Sequence, residues 1–206
     1  MRVISIVLIL AILFLIGVSS VSAVDTSDWK EITVNNVDFN LPPKYQPNDS
    51  EYKYSQNYFH GSPYDFKIKS MTLYKNLADE YGMWSTSKDA RDIEETNIEG
   101  HDAIIIYEYN KYFDRTELHL FFSTGEKIFY MNYQKDNVTP ELKEIIKSTP
   151  KSKMSYETFM DKLNNAQKDY LDEELQINLE LDAENYYRDY NNHLNNFRYG
   201  PLYPDY

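Results

Sequence analysis

The clearest signal along the chain is a two-residue alternation of apolar and polar side chains between residues 93 and 134. A period of two is that of a strand whose faces differ. Residues 93–98 lead into the turn residues Glu99-Gly100-His101-Asp102, followed by AIIIYEYN, TELHLFFS, the turn Thr124-Gly125-Glu126 and KIFYMNYQ. Leu118, Leu120 and Phe122 fall on one face, and Glu117, His119 and Phe121 on the other. Tyr107 and Tyr109 share a face with Ile105. The pattern predicts three or four consecutive antiparallel strands with one covered and one partly wet face. Upstream, Ile32 and Val34, then Val37, Phe39 and Leu41, alternate around Asn35-Asn36. This predicts a hairpin whose turn needs positive φ, ended by Pro42-Pro43. Residues 51–59 and 64–75 are two further strand candidates, separated by the turn residues His60-Gly61-Ser62-Pro63.

Elsewhere the period lengthens to that of a helix. Residues 76–92 read as a short helix or helical loop, capped by Asn76, with Asp79 and Glu80 in its first turn and Gly82 limiting its length. Thr139-Pro140-Glu141 opens another, with Leu142, Ile145 and Ile146 as its apolar stripe and Thr149-Pro150 as its stop. Between Ser155 and Gly200 there is neither proline nor glycine. Leu171, Leu175, Leu179, Ala183, Tyr186, Tyr190, Leu194 and Phe197 recur at helical spacing, beside a neighbouring stripe of Phe159, Leu163, Ala166, Tyr170 and Ile177. A helix of about 40 residues is about 60 Å long, more than one small sheet covers, so part of it should leave the body, bend back or pack on another chain.

The first residues belong to neither pattern. Residues 3–18 (VISIVLILAILFLIGV) form an aliphatic run behind Arg2 and ahead of small residues ending at Ala23. This predicts a signal peptide over 1–23 cleaved after Ala23, or a membrane anchor over 3–24. Both place the body outside the cytoplasm, secreted or held on the extracytoplasmic face of the membrane. Asn48 and Asn137 stand in N-x-S/T triplets and are candidate glycosylation sites, the second weakened by Pro140.

Charge and composition then narrow the chemistry. The chain has 206 residues, 33 acids and 21 bases, a net charge of −12. Arg2 is the only charged residue in 1–23, so without that segment the net charge is −13. Residues 164–206 carry nine acids and three bases, the densest negative charge in the chain. Nucleic-acid binding, which needs basic patches against phosphate, is excluded on this ground. The lack of cysteine excludes disulfides, thiolate metal sites and a cysteine nucleophile. Nucleophilic-serine, phosphate-loop, zinc-protease and calcium-loop motifs are all missing. Of four histidines, His60 and His101 fall in expected turns, and His193 is four residues from Asp189 on the tail helix. His119 shares a strand face with Glu117, an arrangement open to a general base or a metal ligand and equally to a polar residue on a wet face. No catalytic residue, metal ligand set or cofactor is assigned.

Twenty tyrosines are the most unusual feature. Trp29, Trp84 and the sheet tyrosines could stack on sugar rings. The tail group, Tyr186, Tyr187, Tyr190, Phe197, Tyr199 and Tyr203, is hard to bury in one domain and reads as a contact surface for a protein partner or a second copy.

The stretch from Ile32 to Pro42 (ITVNNVDFNLP) resembles the opening hairpin of small exported proteins of unknown function in methanogenic archaea, with Asn36 where glycine is usual. Ile98-Glu99-Gly100-His101-Asp102-Ala103 and Gly125-Glu126-Lys127 are similar to their middle and last turns. The element order also resembles the PsbP-like sandwich, which implies a twisted sheet with helices against it and implies nothing of function. The expected fold is α+β, a twisted antiparallel sheet of about six to eight strands with one or two helices packed on it and a long C-terminal helix. It divides as a leader over 1–23, a sheet domain over 29–149 and an acidic helical extension with a tyrosine-rich end over 150–206. The expected role is binding rather than catalysis. The alternatives are an exported hydrolase using the Glu117/His119 face and a carbohydrate-binding module.

Overall fold

The computed structural model describes residues 24–45, 57–60 and 66–198. Strands β1 (Lys30–Val34) and β2 (Val37–Leu41) form the expected two-residue hairpin. Asn35 and Asn36 have φ of 49° and 58°, the left-handed pair that such a turn requires and that asparagine tolerates better than most residues. A single 3-10 turn, Pro43–Tyr45, follows. Strands β3 (Tyr58–His60), β4 (Phe66–Ser70), β5 (Ala90–Ile98), β6 (His101–Asn110), β7 (Arg115–Thr124) and β8 (Lys127–Tyr133) make one antiparallel sheet in the order β3-β4-β8-β7-β6-β5. The architecture is α+β, as the alternation predicts.

Helix α1 occupies 74–86, an α turn (Tyr74–Leu77), a wider π turn (Ala78–Gly82) and a second α turn (Met83–Thr86). Helix α2 is Pro140–Lys147, with Pro140 in its first turn and the Thr139 hydroxyl accepting from the Leu142 N–H at 3.2 Å. Helix α3 runs from Tyr156 to Arg198, 43 residues, or about 65 Å at 1.5 Å per residue.

Both faces of the sheet are covered. On the first, the β1–β2 hairpin and α2 enclose Phe39, Leu41, Phe66, Leu118, Leu120, Phe122, Leu142 and Ile145. On the second, α1 and the first turns of α3 enclose Ile104, Ile106, Phe121, Tyr130, Leu77, Tyr81, Phe159, Leu163 and Ala166. The expectation of a partly wet second face is therefore corrected. Its polar residues point into a layer supplied by distant segments. The chain crosses between the faces around the end of the β7–β8 hairpin. There Gly125 N–H donates to Lys151 O (3.2 Å), Lys153 N–H to Gly125 O (2.6 Å) and the Thr124 hydroxyl to Pro150 O (2.7 Å). These bonds carry the chain from α2 to the opposite side, where α3 begins.

Two details of α1 differ from the sequence reading. It starts after Leu73, with no side-chain cap, so Asn76 lies inside its first turn. Gly82 does not end it. A Cβ at Gly82 would stand 2.2 Å from Cβ of Tyr170 on α3. Glycine is there because two helices touch. Gly82 has ordinary helical angles (φ −58°, ψ −50°), so alanine would gain about 1 kcal/mol of helix propensity. The clash involves a Cβ fixed to the helix, and overpacking costs about 1–3 kcal/mol or more. The steric effect should win: Gly82→Ala is expected to lower the urea midpoint, and a raised midpoint would show that α1 and α3 do not touch here.

Candidate functional site

Two places deserve the test of function, the Glu117/His119 face and the outer half of α3. The first is closed. On β7, Glu117 and His119 project to the second face beside Glu108 of β6, Tyr130 and Asn132 of β8, and Lys67 and Lys69 of β4, because register sets Glu108 opposite Glu117 and Lys69 opposite Tyr130. Glu80 and Trp84 of α1 come down on this patch. His119 is 1% exposed and Glu117 6%.

The imidazole is held on three sides. Nε2 lies 3.0 Å from Glu108 Oε2 and Nδ1 2.8 Å from the Tyr130 hydroxyl. A carboxylate accepts, so Nε2 donates to Glu108, and the Tyr130 hydroxyl, which keeps its proton, donates to Nδ1. The Trp84 indole stacks on the ring, centroids 3.7 Å apart and planes 16° from parallel. Glu117 Oε1 accepts from Arg115 Nε and Asn110 Nδ2, both at 3.1 Å. Glu80 accepts from Lys69 Nζ at 2.8 Å and Trp84 Nε1 at 3.1 Å.

The opposed Glu108 and Glu117 would repel if left alone. The His119 hydrogen bond to Glu108 and the Arg115 ion pair with Glu117 offset that. Burial pushes the Glu80 carboxyl up, but the Lys69 hydrogen bond, the charges of Lys67 and Lys69 and the Trp84 N–H together hold it below the usual carboxylate range. Burial, with the charges of Glu80, Glu117 and Glu108, drives the Tyr130 phenol well above its ordinary value, so its proton stays on the hydroxyl. Burial also lowers the Lys67 ammonium, which sits 5.2 Å over the Tyr130 ring.

Tyr130, His119 and Glu108 thus form a directed chain of hydrogen bonds, Tyr130 to His119 to Glu108. Such a chain can hold a proton in place or pass one along. It has no face toward a substrate: Trp84 covers the ring, both its nitrogens are engaged, and its hydroxyl end is inside the core. Surface grooves of about 280, 190 and 400 Å³ are lined by other residues. Among the described residues no cluster of three or more acidic or histidine side chains is arranged to hold a metal ion.

The other candidates sort as follows. His101 lies on β6 rather than in a turn. It is fully buried, its Nδ1 donates to Ser123 O at 2.8 Å, and its Nε2 has no hydrogen-bond partner among the described residues. Trp29 is half-buried against the first core and Trp84 against the second. Neither lies as a free platform for a sugar ring. Asn137 is exposed ahead of α2, and the hydroxyl of its triplet's Thr139 is engaged with Leu142 N–H and the Tyr133 hydroxyl. His193 is exposed on α3. Asn48, the leader over 1–23, Tyr199, Tyr203 and the side chain of Phe197 lie outside the described residues. Among the described residues no helix is long and apolar enough to cross a membrane.

The second place is open. Phe159, Leu163 and Ala166 are fully buried against the sheet, and Tyr170 meets Gly82. From residue 171 to residue 194 every residue of α3 is exposed. Leu179 is 61% exposed and Tyr186 67%. Leu171, Leu175, Leu179, Tyr186, Tyr190 and Leu194 line one side of it, by the 3.6-residue turn. Tyr186 and Tyr190 stack at 6.4 Å, with planes 12° apart, and Tyr187 meets Tyr186 edge-on at 5.9 Å. The tyrosines picked out in the sequence thus form an aromatic group on the outer helix, together with a leucine stripe that leads to it. Soluble single-chain proteins rarely expose a run of this size without a use.

No family model matches the chain, and no curated protein or solved structure was found similar to it.

Proposed function

We propose that this is a non-enzymatic binding protein of the cell envelope or exterior, with the outer half of α3 as its contact element. One observation carries the reading: the helix anchors its first turns in the core and then leaves the body with its leucines and tyrosines uncovered. The apolar run behind Arg2 supports a site outside the cytoplasm, either released or anchored through residues 3–24. Membership among the exported proteins of methanogens and a PsbP-like arrangement remain part of this proposal. The sealed Tyr130–His119–Glu108 chain favours a structural role for the histidine, so the hydrolase alternative gains nothing from it.

The test is site-specific photocrosslinking in the cells that make the protein. A photoreactive side chain at Leu179 should give discrete adducts, and one at the exposed Ile93 of β5 should give none. Leu175→Gln and Tyr186→Gln together leave Phe159, Leu163 and Ala166 in place and should retain the fold while at least halving the adducts from Leu179. Adducts that appear equally from both positions, or persist undiminished in the double variant, would sink the assignment of the contact to α3.

A further inference from the structure

We infer that the outer half of α3 is built to receive a basic amphipathic helix of another protein rather than a second copy of itself. The inference rests on the binding role proposed above and names the chemistry of the partner. The apolar stripe runs Leu171, Leu175, Leu179, Ala183, Tyr186, Tyr190 and Leu194, in steps of four, four, four, three, four and four residues. At 100° per residue it stays on one side of the helix, drifting slowly around it. Glu174, Asp182 and Asp189 lie along one border of the stripe, and Asp172 and Glu180 along the other. The lone base between residues 171 and 194, Arg188, faces away from the stripe, where it donates to Asn185 Oδ1 at 2.8 Å. Over that span there are seven carboxylates and one base.

Both borders are therefore negative. Two copies pairing through this face, parallel or antiparallel, would set carboxylate against carboxylate, and like charges juxtaposed across an interface work against the wrong partner. The stripe's spacing also argues against self-pairing as a left-handed coiled coil. That coil needs alternating steps averaging about 3.5 residues, whereas repeated steps of four wind the seam the other way. A helix with a leucine-like face bordered by lysine or arginine escapes the charge objection, and it follows the stripe's own winding rather than a left-handed coil. Its apolar face covers the stripe, and its cations meet the two acidic borders. The stacked Tyr186 and Tyr190 give the site a rigid aromatic end, with two polar tips for hydrogen bonds, the kind of residue that anchors interfaces.

The probe is a synthetic amphipathic helix with a leucine face and lysine borders, labelled and titrated with the full chain at physiological salt while anisotropy is read. Its counterpart has glutamate borders and the same leucine face. The protein variant is Leu175→Gln, Leu179→Gln and Tyr186→Gln together, which keeps the net charge and uses a good helix former at positions outside the core. The lysine peptide should bind at least about tenfold more tightly than the glutamate peptide. The triple variant should lose at least about tenfold for the lysine peptide, about 1.4 kcal/mol.

Equal binding by the triple variant would reduce the effect to plain charge attraction and overturn the proposal. Equal binding of the two peptides, or of neither, would overturn it as well. Sedimentation of the full chain as a dimer that the triple variant abolishes would assign the face to a second copy. Flotation with phosphatidylcholine vesicles, lost in the triple variant, would assign it to lipid. If the peptides fail but crosslinks at Leu179 persist, the partner's chemistry is wrong and the contact element stands.

Discussion

Phe159→Ala is expected to destabilise the protein by about 3–5 kcal/mol, the cost of emptying an aromatic site in a packed core. Leu175→Ala, sixteen residues along the same helix, should change stability by no more than about 0.5 kcal/mol. The two side chains belong to one continuous helix and differ only in where the helix is. Phe159 is fully buried with Leu163 and Ala166 against Phe121, Ile104 and Ile106 of the sheet. Leu175 is on the projecting part, and alanine there is at least as good a helix former as leucine. The measurement is equilibrium unfolding in urea for both variants. A loss below about 1 kcal/mol at Phe159 would mean that α3 is an appendage from its first turn. A loss above about 2 kcal/mol at Leu175 would mean that the outer stripe is covered within the molecule or by a second copy. The contrast also fixes where a truncation may be placed. A chain cut after Pro150 removes Phe159, Leu163 and Ala166 and opens the second core. A chain cut after Tyr170 does not.

Local chemistry was what the sequence spoke of most plainly. The Asn35-Asn36 pair specified its own backbone, because few residues other than asparagine and glycine accept two successive positive φ values. Thr139-Pro140 specified the start of α2 in the same way, through a hydroxyl cap and a residue with no N–H to lose. The four-strand meander β5 to β8 followed from alternation, and the length of α3 from the lack of any glycine or proline across it.

What the sequence concealed was contact between distant segments. Alternation places Glu117 and His119 on the face opposite Leu118 and Leu120, but it is silent on what lies across from them. Glu80 and Trp84 arrive from 33 or more residues upstream, and their approach turns an apparently wet face into a buried one. Gly82 departs from its local pattern for the same reason. A glycine inside a helical pattern means an end when judged locally, and here it means the passage of Tyr170. His101 sits beside Gly100 and so read as a turn residue, although the sheet begins its next strand on it. In the tail, alternation gives way to a stripe that drifts around α3. The sequence therefore shows two apolar stripes, and only the fold shows that the body covers Phe159, Leu163 and Ala166 of one and leaves the stripe from Leu171 to Leu194 uncovered.

The second large effect is expected at His119. His119→Ala should cost about 2–4 kcal/mol, since it opens a cavity and takes a hydrogen-bond partner from a buried hydroxyl and a part-buried carboxylate. The comparison that isolates the cause is His119→Phe. Phenylalanine keeps a flat ring under Trp84 and most of the volume, but it offers no nitrogen to Tyr130 or Glu108. Removing one partner of a buried polar group leaves the other with a desolvation cost of about 1–3 kcal/mol, more than a neutral hydrogen bond contributes when made. His119→Phe should therefore recover the stacking and cavity share of the loss and retain about 1–2 kcal/mol of it. Adding Tyr130→Phe to His119→Phe should then cost less than the sum of the two single changes, because the second substitution removes a hydroxyl that the first has already stranded. Full recovery by phenylalanine alone would show that the imidazole serves only as a packed ring. A retained loss that the double variant relieves would show that the Tyr130–His119–Glu108 chain is what keeps a patch of opposed carboxylates compatible with the inside of the sheet.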